Sequence, residues 1–225
     1  MKCYEKQAAL HTAFNQVFAS AAGNTLIPAL HIVCRNTHKM AIAADAQAKS
    51  VDHSKLQNAV TLLQESFSRT YNDRKELRPN APYDAEGSKK AGVLFIVNQL
   101  FSIYFRLNTL RLCKNLLRPV ESKKLHQYGA TMGQMVTYRY YVGRLNLFED
   151  QYAAAEENLE YALDHCHRNA IGNKKRILKY LVPVKLYRGR LPSAACKCTT
   201  VNFSMGRGRE SRIAACRSTL QSLTP

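Results

Sequence analysis

The chain lacks every short motif that would mark a familiar active site. It has no glycine-rich phosphate loop, no GxSxG elbow, no HExxH and no CxxC pair, so no motif for nucleotide binding, serine hydrolysis, zinc-protease or dithiol chemistry is present. Acidic residues are scarce: 16 Asp and Glu stand against 33 Lys and Arg, a net charge of +17. Such an imbalance implies an acidic partner, whether nucleic acid, an acidic protein or an anionic membrane. Long hydrophobic runs are missing too. The most apolar stretch, Val93 to Leu107, is interrupted by Asn98, Gln99, Ser102 and Arg106, and it falls short of the roughly 18 to 20 residues a bilayer span needs. It reads as a buried core helix, and no membrane partner is expected. The start shows no signal-peptide pattern, and the 7 cysteines are odd in number and scattered. Free thiols in a reducing compartment are the expectation.

What the chain does have is helical periodicity, clearest from Thr137 to Leu163. Counting from Gly143, the residues Tyr152, Ala155, Leu159 and Ala162 follow at the offsets of a tetratricopeptide-like (TPR-like) helical hairpin. Gly143 and Ala155 leave room for two backbones to approach. Tyr152, Ala155, Leu159, Ala162, Leu163 and Cys166 recur at three- and four-residue steps along one face. The turn is placed near Phe148 to Gln151. One hairpin cannot bury both of its faces, so it needs stacked neighbours.

The rest of the chain supplies them. Tyr4 to Ala22 and Leu26 to Lys49 read as a helix pair broken at Gly23, Asn24 and Pro28. Asp52 is a candidate cap for the next helix, on which Leu56, Val60, Leu63 and Phe67 repeat. Asn72 to Ser88 has no periodicity and reads as an exposed loop. The apolar helix from Val93 breaks at Asn108 and Thr109, and Pro119 is expected to close its successor. A further helix over Asn173 to Arg190 should bury Ile177, Leu178, Leu181, Val182 and Leu186, with Pro183 kinking or ending it and Gly189 at its end. Residues 193–225 show no sustained apolar period and are expected to be disordered. The domain reading is 1–71 for the N-terminal helical pairs, 72–88 for a linker, 89–192 for the TPR-like part and 193–225 for the tail.

Charge is distributed unevenly. Glu149 to Asp164 holds acids and no Lys or Arg, whereas the segments on either side are strongly basic. Neighbouring helices can therefore pair charges at their rims, each exposed pair contributing about 0 to 1 kcal/mol. The remaining basic face, Lys174, Lys175, Arg176, Lys179, Lys185, Arg188 and Arg190, is the candidate contact for a partner or nucleic acid. The plainer alternative is a solvated helix face.

Other constellations carry less. His31 and His38 share a helix face, with no Cys or carboxylate joining them at ligand spacing. The residues His165, Cys166 and His167 diverge by about 100° each around a helix and cannot all face one ion. Cys196 and Cys198 lack partner ligands nearby. Glu156 and Glu157 are adjacent on a helix and point to different sides, against a paired-carboxylate mechanism. No catalytic residue, cofactor or metal is expected.

Three segments, SKKAGVLFIVNQLFSIYFRLNTLRLCKNLLR, VTYRYYVGRLNLFEDQYAAAEENLEYALDHCHR and NKKRILKYLVPVKLYRGRLPS, together resemble the PCI domain-containing protein 2 family. The match is close from about Ser88 to Ser193 and weaker over Tyr4 to Tyr71. The resemblance implies an all-α fold, a right-handed superhelix of TPR-like antiparallel hairpins forming part of a PCI domain. It also implies a non-enzymatic scaffold subunit of the nuclear transcription-coupled mRNA export (TREX-two) complex. Its implied partners are a large export-complex scaffold subunit, a small acidic Sem/Dss-type peptide, and RNA or DNA. Its implied location is the nucleus, with nuclear-pore association and a cytoplasmic pool. Relatives in the signalosome and proteasome lid share the fold. After Leu191, Pro192 and Ser193 the family's winged helix does not follow, so the chain reads as a truncated isoform, an alternatively spliced product or an imperfect gene model, with apolar surface uncovered on Ile177 to Leu186.

Overall fold

The computed structural model describes residues 2–20, 25–48, 53–75, 87–123, 125 and 130–190. Asp52, Cys196, Cys198 and residues 193–225 lie outside them. Among the described residues every regular element is helical: α1 (Lys2–Ser20), α2 (Ile27–Ala48), α3 (Ser54–Tyr71), a 3₁₀ turn (Lys89–Gly92), α4 (Val93–Arg106), α5 (Leu110–Ser122), α6 (Met132–Phe148), α7 (Tyr152–Asp164) and α8 (Ile171–Tyr187).

The centre is α4. Val93 to Asn98, Leu100, Phe101, Ile103 and Tyr104 are buried because the helix packs against α2, α3, α5 and α6. Burying each large apolar side chain of this kind stabilises by about 1.5 to 3 kcal/mol. The two compact units are Met1–His167 and Arg168–Pro225, since residues of α1 to α3 share one hydrophobic cluster with α4, α5 and α6. The ends of the 72–88 segment are tied together: the Asp73 carboxylate accepts from Ser88 Oγ at 2.9 Å and from the Lys89 amide at 2.7 Å. The Lys89 ammonium then donates to the Phe18 carbonyl at 2.6 Å, supplying from elsewhere in the chain the cation that the last turn of α1 lacks.

The N-terminus of α3 is held in a comparable way. Its first residue is preceded by His53, left-handed at φ 48°, which makes no side-chain cap. Asp45 of α2 does the capping: its carboxylate accepts from the Lys55 amide at 3.1 Å and the Leu56 amide at 2.9 Å. Among the described residues, the cap on these two amides is provided by a buried residue of the preceding helix. Tyr4 seals the same corner, its hydroxyl 2.9 Å from both the Lys55 carbonyl and Asn58 Oδ1. Burial, then the Asp45 charge, push the Tyr4 phenol up to about 12.

Pro119 departs from expectation: it does not close α5, which runs on to Ser122. Of the two roles expected for Pro183, it does not end α8, which runs on to Tyr187. A proline inside a helix removes one amide hydrogen bond, and at the exposed Pro183 the carbonyl left over on that side can be hydrated. The true exits of α4, α6 and α8 are left-handed residues, Asn108, Asp150 and Gly189. After each, an amide returns to the carbonyl five positions back: Thr109 to Tyr104 at 2.9 Å, Gln151 to Asn146 at 2.9 Å, Arg190 to Lys185 at 2.8 Å. Asn, Asp and Gly tolerate that conformation best.

His11, His31 and His38 are structural. His11 is fully buried between Thr37 Oγ1, 2.9 Å from Nδ1, and Ser66 Oγ, 2.8 Å from Nε2. His31 stacks on Phe95 with ring centroids 4.1 Å apart, and His38 meets Gln99 Oε1 at 2.7 Å. Burial lowers His11 and His31 to about 4 and lowers His38 as well. The unfolded chain therefore binds more protons than the folded one between about pH 4 and the ordinary histidine value near 6.5. Stability is complete above that window and is lost as pH falls through it. For His11 alone, moving from pH 7 to pH 5 should cost about 2 kcal/mol. Urea midpoints at the two pH values check this, and His11→Gln should flatten the difference.

Candidate partner-binding surface

The unit beginning at Arg168 is built on α8, which carries five Lys or Arg and no Asp or Glu. Its N-terminus has no side-chain cap; the Ala170 carbonyl accepts the Asn173 and Lys174 amides at 3.0 Å. Ile177, Leu178, Leu181 and Val184 are buried, so the helix period puts residues about 180° away, Lys175, Arg176 and Lys179, on the outward side. Arg176 and Lys179 are exposed and Lys175 is half-buried. The seven basic residues therefore do not form one face. Lys174 and Lys185 fall on the inward arc and are half-buried, while Arg188 and Arg190 are exposed beyond the helix end. Leu186 is 52% exposed rather than buried, and the apolar surface expected to lie open on Ile177 to Leu186 is otherwise covered. Beside the basic side chains, the Lys179 ammonium lies 6.0 Å from the Tyr180 ring centroid.

In the first unit, α6 and α7 form the close hairpin. A Cβ placed on Gly143 would lie 2.7 Å from Leu159 Cγ and 3.3 Å from the Ala155 carbonyl oxygen. Ala155, Leu159 and Ala162 are buried. Tyr152 is half-buried, its hydroxyl donating to Asp150 Oδ1 at 2.7 Å. Cys166 is buried next to exposed His165 and His167, and no cluster of three metal-ligating side chains is present among the described residues.

Between α5 and this hairpin runs a groove of about 470 Å³. Leu117, Val142, Leu145 and Ala154 give it apolar surface, and Lys114, Arg118 and Arg139 bring positive charge to it. On α5 the buried residues are Cys113, Leu116 and Val120, which turns Arg111, Lys114 and Arg118 outward. Arg139 is held by Asn158, Nη1 to Oδ1 at 2.9 Å, and lies 5.1 Å over the Tyr161 ring. Its Nε has no hydrogen-bond acceptor among the described residues. Lys114 and Glu149 form an ion pair at 3.1 Å. Partial burial raises Glu121 above its ordinary value, and Arg139 pulls it back. The Tyr138 phenol is pushed up by burial and by Glu121. The sequence places a helix after the break at Asn108 and Thr109, but not the neighbour that turns its basic side chains into the wall of a groove.

Comparison with known proteins follows from this architecture. A family profile described as PSMD3-like, N-terminal TPR repeats, matches residues 87–198. PCI domain-containing protein 2 of Xenopus laevis is 35% identical over 198 residues, 86% of this chain and 48% of the relative. Its counterpart in Danio rerio is 50% identical over 109 residues, 48% of this chain and 27% of the relative. The chain belongs to the PCI domain-containing protein 2 family. Within reach of that family is Protein CSN12 homolog of Mycosarcoma maydis, 35% identical over 196 residues, 80% of this chain and 42% of the relative. The chain thus spans less than half the length of these relatives. Among the described residues of this member of the PCI domain-containing protein 2 family, no helix is long and apolar enough to cross a membrane.

Proposed function

We propose that this chain is a non-enzymatic scaffold subunit of the nuclear transcription-coupled mRNA export (TREX-two) complex, holding a large scaffold subunit and a small acidic Sem/Dss-type peptide. The observation that carries the reading is the outward face of α8, where Lys175, Arg176 and Lys179 stand on a helix with no acidic residue. An acidic, extended peptide meets three cations within about one and a half helical turns there, and the exposed Leu186 adds an apolar contact. The family supports the scaffold role, since helical hairpins of this type act by presenting surface.

Reversing the charge of Lys175, Arg176 and Lys179 to Glu should weaken capture of the acidic peptide about tenfold or more. Quantitative pull-down at fixed salt measures it, and unchanged capture would remove the proposal. A second reading, a subunit of a signalosome or proteasome-lid type PCI complex, is favoured by the CSN12 homolog and the PSMD3-like profile. It shares the fold, so the co-purifying complex separates the two. Direct RNA or DNA binding would show instead as affinity falling steeply with salt.

A further inference from the structure

We propose that the groove between α5 and the α6–α7 hairpin is a second docking site, taking an acidic, extended segment of a partner protein, with Glu149 acting there as an internal competitor. This site is built from residues of the first unit alone and does not depend on the reading of α8.

Charge argues for the occupant. Lys114, Arg118 and Arg139 bring three positive charges to the groove against Glu121 and Glu149. One of those carboxylates, Glu149, is already engaged by Lys114 at 3.1 Å. What remains is a net attraction for anions, centred on Arg118 and Arg139, and a guanidinium Nε on Arg139 with no acceptor among the described residues. The Lys114–Glu149 contact does for the empty groove what an incoming carboxylate would do. Lys114 is half exposed in that pair and Glu149 a quarter exposed, so the Lys114 ammonium is within reach of an incoming carboxylate.

Peptide is favoured over nucleic acid by the rest of the lining. A phosphate backbone carries a charge at every residue and would have to run past both Glu121 and Glu149. An extended peptide alternates its side chains, so it can set apolar groups over Leu117, Val142 and Leu145 while aiming carboxylates at Arg118 and Lys114. Asn146, also in the lining, supplies a carboxamide able to bond its backbone.

The test is fluorescence anisotropy on the full chain with a short labelled peptide alternating Asp or Glu with Leu. Arg118→Glu should weaken binding about tenfold. Glu149→Gln should tighten it about threefold. The α8 triple reversal should leave affinity within about twofold. Both groove residues sit at the surface of the fold, and matched urea midpoints would show the variants intact. No detectable binding at low salt, or affinity indifferent to both groove variants, overturns the proposal. Loss of binding only in the α8 variant overturns it while leaving the α8 reading standing. An RNA homopolymer that outcompetes the peptide and responds to Arg118→Glu also overturns it.

Discussion

Gly143→Val should destabilise the fold by roughly 3 kcal/mol, the upper end of what overpacking a well-filled site costs. The first added carbon would already stand 2.7 Å from Leu159 Cγ, a separation side-chain carbons do not adopt. The branched carbons beyond it would have to push Leu159 aside. Leu159 is fully buried and the Ala155 carbonyl oxygen, at 3.3 Å, belongs to the backbone of α7, so neither can yield without parting the helices. Alanine at this position is the informative control. It gains up to about 1 kcal/mol in helix propensity over glycine, so its net loss should be smaller, and pairing it with Leu159→Ala should recover part of the clash. Urea unfolding of the three variants measures both terms. If valine were tolerated within about 0.5 kcal/mol, the two helices would not be in contact as described.

Asp45→Ala should cost roughly 3 kcal/mol. The carboxylate is buried and accepts the Lys55 and Leu56 amides, and charge-assisted hydrogen bonds contribute about 1.5 to 3 kcal/mol each when partners are lost in a buried setting. His53 offers no side-chain replacement. Asparagine retains one acceptor oxygen and should recover about half of the loss. Thermal melts of the Ala and Asn variants would separate the two contributions. Equal losses for both would mean that charge, rather than the hydrogen-bond geometry, holds the start of α3.

These two sites differ in how far the sequence discloses them. Gly143, Ala155, Leu159 and Ala162 could be read in advance because close helix approach demands small residues at fixed offsets along adjacent segments. Val93 to Leu107 was equally plain, since a helix apolar on nearly all sides has to be enclosed. Asp45 was hidden because nothing in the pattern ties a residue in mid-sequence of one helix to the start of the next; only the angle between α2 and α3 does. His11 was hidden for the same reason, its partners Thr37 and Ser66 lying on two other helices. Pro119 misled because a local rule about prolines gives way when the surrounding turns are held by burial. The basic residues of α8 were all visible as composition, but which of them share a side depends on where Ile177, Leu178, Leu181 and Val184 turn inward. For the groove, Arg118 and Arg139 come from different helices, and their convergence is a product of packing alone.

The central position of α4 sets how the first unit comes apart. In an ordinary stack of repeats, end modules can peel away while interior ones persist, because each meets only its immediate neighbours. Here a single segment touches α2, α3, α5 and α6 at once, and its side chains belong to a cluster that also holds Tyr4 and Leu145. Fraying from either margin strips partners from that shared segment, so heat or denaturant should collapse α1 through α6 in one sharp step.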